Sequence, residues 1–269
     1  AYEISCCLVG SEMCIRDRLY TKNNIMAKNF RLYIKEPLAP GKTIILEEEQ
    51  THYLKNVVKY TAGETFSCFD NESGEFSARI TAFEKRHTRI NILAQTEPFT
   101  RCPDIWLLFA PLKKDKTDFV IEKATELGCR KILPVFTRHT NSGNVKTERY
   151  VAQSIEAAEQ CRRTDLPEIV PAQKLEDVLS GWNSQRTLFF MDETRNCQDF
   201  FSVLKENPAS KAAVLIGPEG GFSPEELNLL RNLPFARGAA LGPRILRAET
   251  AVAAALSCWQ MISGDWSDK

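Results

Sequence analysis

From Asp104 to the carboxyl end, short apolar runs alternate with amphipathic stretches, and that rhythm leaves few folds open. "DIWLLFAP", "KILPVF", "TLFFMD" and "KAAVLIG" have the length of fully buried strands. Between them, "DKTDFVIEKATELG" (ending at Gly128), "ERYVAQSIEAAEQCRR" and "SPEELNLLRNL" carry helical spacing, and "AETAVAAALSCWQMI" is a last, apolar helix. Strands alternating with helices predict an α/β domain built on a mostly parallel sheet.

The chain before that point has a different texture. "FRLYI", "KTIIL", "TFSCFD", "EFSARITAF" and "RINILAQ" are short strand-like runs separated by "PG", "AGE" and "NESGE" turns, with one helical segment, "EEEQTHYLKNVV". A small β-barrel of roughly 70 residues is the economical reading. "TEPFTRCPD", with Pro98 and Pro103, reads as the linker, so the expected domains are 26–98 and 99–269. Residues 1–25 show no period, hold three of the nine cysteines and lack the features of a signal peptide. Met26 reads as the native start, and 1–25 as a non-native or disordered extension.

Composition narrows the function. No apolar run is long enough to span a bilayer. The formal net charge is zero, so any nucleic-acid contact has to come from local patches. The cysteines form no CxxC unit, and none lies at zinc spacing from His52, His87 or His139. No metal site is expected, and unpaired cysteines suit a reducing cytoplasm.

The stretch with most chemical content is "VLIGPEGGFSPEE", residues 214–226. Ligands of α/β domains sit beyond the carboxyl ends of strands, and glycines there admit φ > 0 or a ligand against bare backbone. A structural turn is the other reading. Ser223, Pro224 and Glu226 spell a capping box, which largely satisfies the free helix N–H groups, adds carboxylates and makes the position a poor phosphate site. Neither GxGxxG nor GxxxxGK[ST] occurs. "ALGPRILRAETAVAAAL", residues 240–256, repeats the arrangement: a strand end, a Gly-Pro loop, and a helix of small residues that can approach other backbone closely. Two such loops can wall one pocket.

"LIGPEGGFSPEE" followed by "LGPRILRAETA" resembles the signature of the RsmE family of SPOUT-class RNA methyltransferases. "KKDKTDFVIEKATELGCRKILP" and "SIEAAEQCRRTDLP" are similar to two further family blocks, in the expected order. The resemblance covers about residues 26–265. It implies a knotted (deep trefoil) α/β methyltransferase domain preceded by a PUA-like RNA-binding β-barrel, in a homodimer. It implies S-adenosylmethionine as cofactor, and N3 of one uridine of 16S ribosomal RNA as the methylated atom, with the assembled 30S subunit as the setting.

Carried onto this chain, the cofactor residues are Leu215, Ile216, Gly217, Pro218, Glu219 and Gly220 in one loop, and Leu241, Gly242, Ile245, Leu246 and Arg247 in the other. Arg138 is the catalytic candidate, with Glu219 to orient the cofactor or accept a proton. Arg31, Lys59, Lys113, Lys114, Lys116 and Arg163 are the expected RNA contacts. For the arginines, surface ion pairs are the alternative. Lys59 and Ala248 depart from the family's commoner arginine and threonine. Two rival functions stand beside this one: a methyltransferase of the same class acting on ribose or another base, and an RNA-binding module without catalysis.

Overall fold

In a computed structural model of the chain the described residues are 30–141, 145–194 and 196–267, the side chain of Lys114 excepted. The expected extension over residues 1–25 lies outside them.

Residues 31–98 form a five-stranded sheet from β1 (Arg31–Tyr33), β2 (Thr43–Leu46), β3 (Thr65–Phe69), β4 (Gly74–Phe83) and β5 (Thr88–Pro98). The order is β1-β3-β4-β5-β2, parallel between β1 and β3 and antiparallel elsewhere. Alternate residues face inward, as in Phe76, Ala78 and Ile80 of β4. Leu32 of β1 and Leu46 of β2 share one core although those strands lie at opposite ends of the ladder. The sheet is therefore curled, as the expected barrel requires, with no described pairing between β1 and β2. The helical segment is α1 (Glu48–His52), which runs into a π-helical turn over Tyr53–Val57 and seats Leu54 in that core.

The second sheet has the order β12-β10-β11-β6-β7-β8, all parallel, with β9 also paired to β7. Its strands are β6 (Asp104–Phe109), β7 (Lys131–Phe136), β8 (Glu168–Ile169), β9 (Gln173–Lys174), β10 (Thr187–Met191), β11 (Lys211–Ile216) and β12 (Ala236–Ala239). The helices are α2 (Lys114–Glu126), α3 (Thr147–Cys161), α4 (Leu175–Ser180), α5 (Phe200–Glu206), α6 (Pro224–Asn232) and α7 (Ala248–Ser263). Both sheet faces are covered, which is why its strands read as continuous apolar runs. Ala212, Val214 and Ile216 of β11 pack with α2, α5 and α7, whereas Ala213 and Leu215 pack with α4 and α6.

The strands and long helices follow the sequence reading. The short elements β8, β9, α4 and α5 do not appear in it, because two to seven residues are too few to set a period. Gly128 ends α2 in the left-handed region (φ 75), and Gln260 of α7 donates to the Leu127 carbonyl at 2.7 Å. Among the described residues no helix is long and apolar enough to cross a membrane.

The two sheets meet around one side chain. Arg31 Nε donates to Glu75 Oε2 at 2.6 Å, while Nη1 reaches the Ala158 carbonyl at 2.7 Å and Nη2 the Arg163 carbonyl at 3.0 Å. The guanidinium thus caps the carboxyl end of α3 from the other domain, stacked over Phe69. Arg163 is also buried. It forms a two-pronged ion pair with Asp165 and donates to the Thr125 carbonyl at the end of α2. Arg31 and Arg163 are corrections to the sequence reading: both are 7% exposed and bind main chain and carboxylates, which leaves no guanidinium for RNA.

Arg31→Met keeps the volume but strands three acceptors, two of them buried main-chain carbonyls. It should lower the unfolding free energy by about 3–5 kcal/mol in urea titration, and a loss under ~1 kcal/mol would contradict the junction role.

Glu159 lies at the same junction, its Oε1 accepting from the Tyr33 N–H at 2.9 Å. Burial pushes its carboxyl up to about 7 against the pull of that N–H and of Arg31, with Glu156 adding to the rise. The folded value exceeds the unfolded one, so this stabilising contribution is complete below pH 4.5 and lost as pH rises through about 7. Subtracting the pH–stability curve of Glu159→Gln from that of the wild type should isolate a downward limb in that window; a flat difference would refute the assignment.

Candidate functional site

Because β12, β10 and β11 are neighbouring parallel strands, their carboxyl ends lie side by side, with Met191 in register with Ala239 and Phe190 with Leu215. The loop after β11 leads into α6 and the loop after β12 into α7. A cavity of about 290 Å³ opens between them. Its apolar walls come from Ile216, Leu241, Ile245, Leu246 and Ala251, its acidic side from Asp192, Glu193 and Glu219. The main-chain N–H groups of Leu241, Gly242, Ile245 and Leu246 bond no other main-chain group of the described residues. A ligand edge can pair with them.

Neighbours fix the first loop from three sides. Ser223 and Glu226 form the capping box at the start of α6, and the second Glu226 oxygen, Oε1, accepts from the Arg138 N–H at 2.8 Å. The His139 ring nitrogen Nδ1 lies 3.1 Å from both the Gly220 and the Gly221 carbonyl, so it donates to them. From the turn after β10, Glu193 Oε1 accepts from the Phe222 N–H at 3.1 Å. Gly221 has φ 70, and a Cβ there would overlap the Glu193 carboxylate. Gly217 needs no unusual φ; a Cβ on it would press on the Phe222 ring at 3.1 Å.

Charge around the cavity is paired in a definite way. Lys116 donates to Glu219 Oε1 at 3.1 Å. Against the desolvation of partial burial, the Glu219 main-chain N–H and the lysine hold this carboxyl below the usual range. Asp192 is likewise held low: its burial is outweighed by bonds from Thr194 and Arg231. Both carboxylates are poor proton acceptors near neutral pH.

Family models match twice, an RNA methyltransferase domain over residues 100–260 and an RNA methyltransferase PUA domain over residues 46–93. The chain belongs to the ribosomal RNA small subunit methyltransferase E family. The enzyme of that name from Rickettsia conorii is 32% identical over 229 residues, covering 84% of this chain and 93% of its own. The Bacillus subtilis one is 25% identical over 244 residues, covering 86% and 95%. Among solved structures, a Legionella pneumophila methyltransferase in complex with S-adenosylmethionine superposes with a TM-score of 0.80 at 28% identity. The Neisseria gonorrhoeae small subunit methyltransferase E bound to S-adenosylmethionine gives 0.79, also at 28%. Each covers 88% of this chain and 99% of its own. The fold is the SPOUT-class α/β domain with a PUA-like domain before it.

Of the residues carried over from the family, Ile216, Gly217, Pro218, Glu219, Leu241, Gly242, Ile245, Leu246 and Arg247 line the cavity. Leu215 does not. Its side chain is fully buried on the opposite sheet face, as the two-residue period of a strand demands of the neighbour of Ile216. Gly220 faces His139 instead of the cavity. Arg138 is exposed beside the first loop, with no hydrogen-bond or ion-pair partner for its guanidinium among the described residues. Lys113 is exposed, Lys116 is tied to Glu219, and Lys59 is exposed with φ 59 at the end of the π-helical turn. The Lys114 side chain lies outside the described residues. Met191, Asp192 and Glu193 were not anticipated. The sequence places "TLFFMD" on a strand, but nothing local says that this strand is inserted between the other two.

Gly221→Ala should lower stability by about 1–2 kcal/mol from the left-handed φ alone, plus the clash with Glu193. Adding Glu193→Ala should recover only the clash part in thermal melts. Full recovery would mean that φ at 221 is not constrained.

Proposed function

We propose that this chain is an S-adenosylmethionine-dependent methyltransferase of small-subunit ribosomal RNA, and that it methylates N3 of a uridine. The observation that carries the reading is the cavity at three parallel strand ends, walled by "GPEGG" and "LGPRIL". It suits the donor on three counts. The apolar walls accept a flat adenine ring, and the main-chain N–H groups of Leu241, Gly242, Ile245 and Leu246, which bond no other main-chain group of the described residues, offer its edge partners. The carboxylates of Glu193 and Glu219 complement a cationic ligand.

When bound, the cofactor supplies an electrophilic methyl group. The protein's tasks are to hold the uracil in line with it and to stabilise the charge that develops as N3 loses its proton. Arg138 fits the second task. Its main chain is fastened to α6 through Glu226, beside the first loop, and its guanidinium is left for the substrate. Glu219 fits an orienting role, since its lowered pKa suits a standing anion and not a base. Lys59, Lys113 and Lys114 are the remaining phosphate contacts of the proposal. The trefoil knot, the division at residue 98, the homodimer, the 30S substrate and the cytoplasmic location belong to the same reading, on the strength of the family resemblance.

The deciding experiment is transfer of label from S-adenosylmethionine to 30S subunits lacking the modification, followed by digestion and identification of the nucleoside. Label in 3-methyluridine is expected; label in a ribose-methylated or other nucleoside would move the chain to a sibling specificity. Arg138→Ala should cut the transfer rate by about 100-fold or more while cofactor affinity, measured by calorimetry, stays within roughly twofold. A matching loss of affinity would remove Arg138 from the chemistry.

A further inference from the structure

Two cations on the second glycine loop have no partner. Gly242 turns the chain there at φ 82, Pro243 follows, and residues 242–245 are all exposed, with Arg244 and Ile245 on the lip of the cavity. A Cβ on Gly242 would meet nothing within 4 Å, so this glycine serves the left-handed turn alone. Arg244 and Arg247 line the cavity and are exposed, and neither guanidinium has a hydrogen-bond, ion-pair or ring partner among the described residues. Yet three carboxylates line the same cavity. Each is engaged elsewhere: Asp192 with Thr194 and Arg231, Glu193 with the Phe222 N–H, Glu219 with Lys116. The charges of the cavity are thus sorted, with anions at the end of β10 and on the first loop, and free guanidiniums on the second.

That sorting assigns the two ligands of a methyl transfer to different sides. The acidic side matches a cationic donor. The guanidiniums stand at the rim, where an acceptor has to enter, and RNA brings a phosphate with every nucleotide. Other cations that could have met it are taken: Arg31 and Arg163 are buried against carbonyls and carboxylates, and Lys116 is held by Glu219. We propose that Arg244 binds a backbone phosphate of the substrate RNA beside the target nucleotide, so that the second loop holds the cofactor with its main chain and the RNA with its tip. This rests on the ribosomal RNA methyltransferase reading above. The guanidinium offers a planar fork of donors that fits two phosphate oxygens. Such a contact sets register and carries no base identity. Two observations favour Arg244 over Arg247. Arg247 is the N-cap of α7, its carbonyl accepting from the Ala251 N–H at 2.8 Å, so its place is set by the helix, whereas Arg244 is at the tip of the turn. Its neighbour Ile245 is also 78% exposed, an apolar surface that a sugar or base would cover and a small anion would leave bare.

The test is co-sedimentation with 30S subunits lacking the modification, over about 50–200 mM salt at fixed magnesium, beside methylation kinetics and calorimetry of the cofactor. Arg244→Gln should raise the dissociation constant and KM for 30S subunits about tenfold and leave kcat and cofactor affinity within roughly twofold. It should also lower the slope of log affinity against log salt by about 0.7–1, the share of one phosphate contact. Arg244→Lys keeps the charge, and should restore the wild-type slope with part of the affinity. Wild-type KM and slope in Arg244→Gln would overturn the proposal. So would a loss of cofactor affinity at unchanged slope, which would give the guanidinium to a carboxylate of the cofactor. Failure of Arg244→Gln to fold would mean a structural contact and overturn it as well. Failure of the parent reading is seen separately, in wild-type protein that neither binds 30S subunits nor labels them.

Discussion

Everything around the cavity follows from the insertion of β10 between β11 and β12 in a parallel sheet. Parallel pairing puts all three carboxyl ends on one edge, and burial of both faces fixes which side chains point where. The chain must therefore leave β11 on one side of β10 and return to β12 on the other. Its two Gly-Pro loops are left flanking the end of the strand between them. Met191, Asp192 and Glu193 then form the back of a cavity whose sides are "GPEGG" and "LGPRIL".

That frame would position nothing if the loops were free to move. They are held by groups from elements distant in sequence: Glu193 from the turn after β10, Arg138 and His139 from the loop after β7, and Lys116 from α2. Each contact satisfies a polar group that would otherwise be unpaired close to an apolar wall. The same economy runs the domain junction, where Arg31 caps α3 and Arg163 caps α2, each across a gap of sequence that no local rule spans. Arg244 and Arg247 are exceptions to this pattern of satisfied groups, and both line the cavity.

The cavity residues were the most legible part of the site. Glycines, a proline and a capping box have conformational meanings that do not depend on the rest of the chain. The loops at 217–221 and 241–247 could therefore be placed at strand ends, and the Ser223–Glu226 cap read, without coordinates. The Leu215 side chain falls outside the cavity wall, because a strand alternates its faces, which a block of consecutive residues hides. Arg31 and Arg163 were misjudged for a different reason. A guanidinium that binds phosphate and one that binds helix carbonyls have the same sequence signature, and only burial separates them.

The sequence by itself determined the two textures of the chain, the long strands and helices, and the loops that can lie against a ligand, because periodicity, glycine and capping are local properties. Only the tertiary structure decided strand order, which arginines are buried, and which are left without a partner. Those outcomes depend on which distant segments come into contact, and contact between distant segments is set by packing the whole core at once.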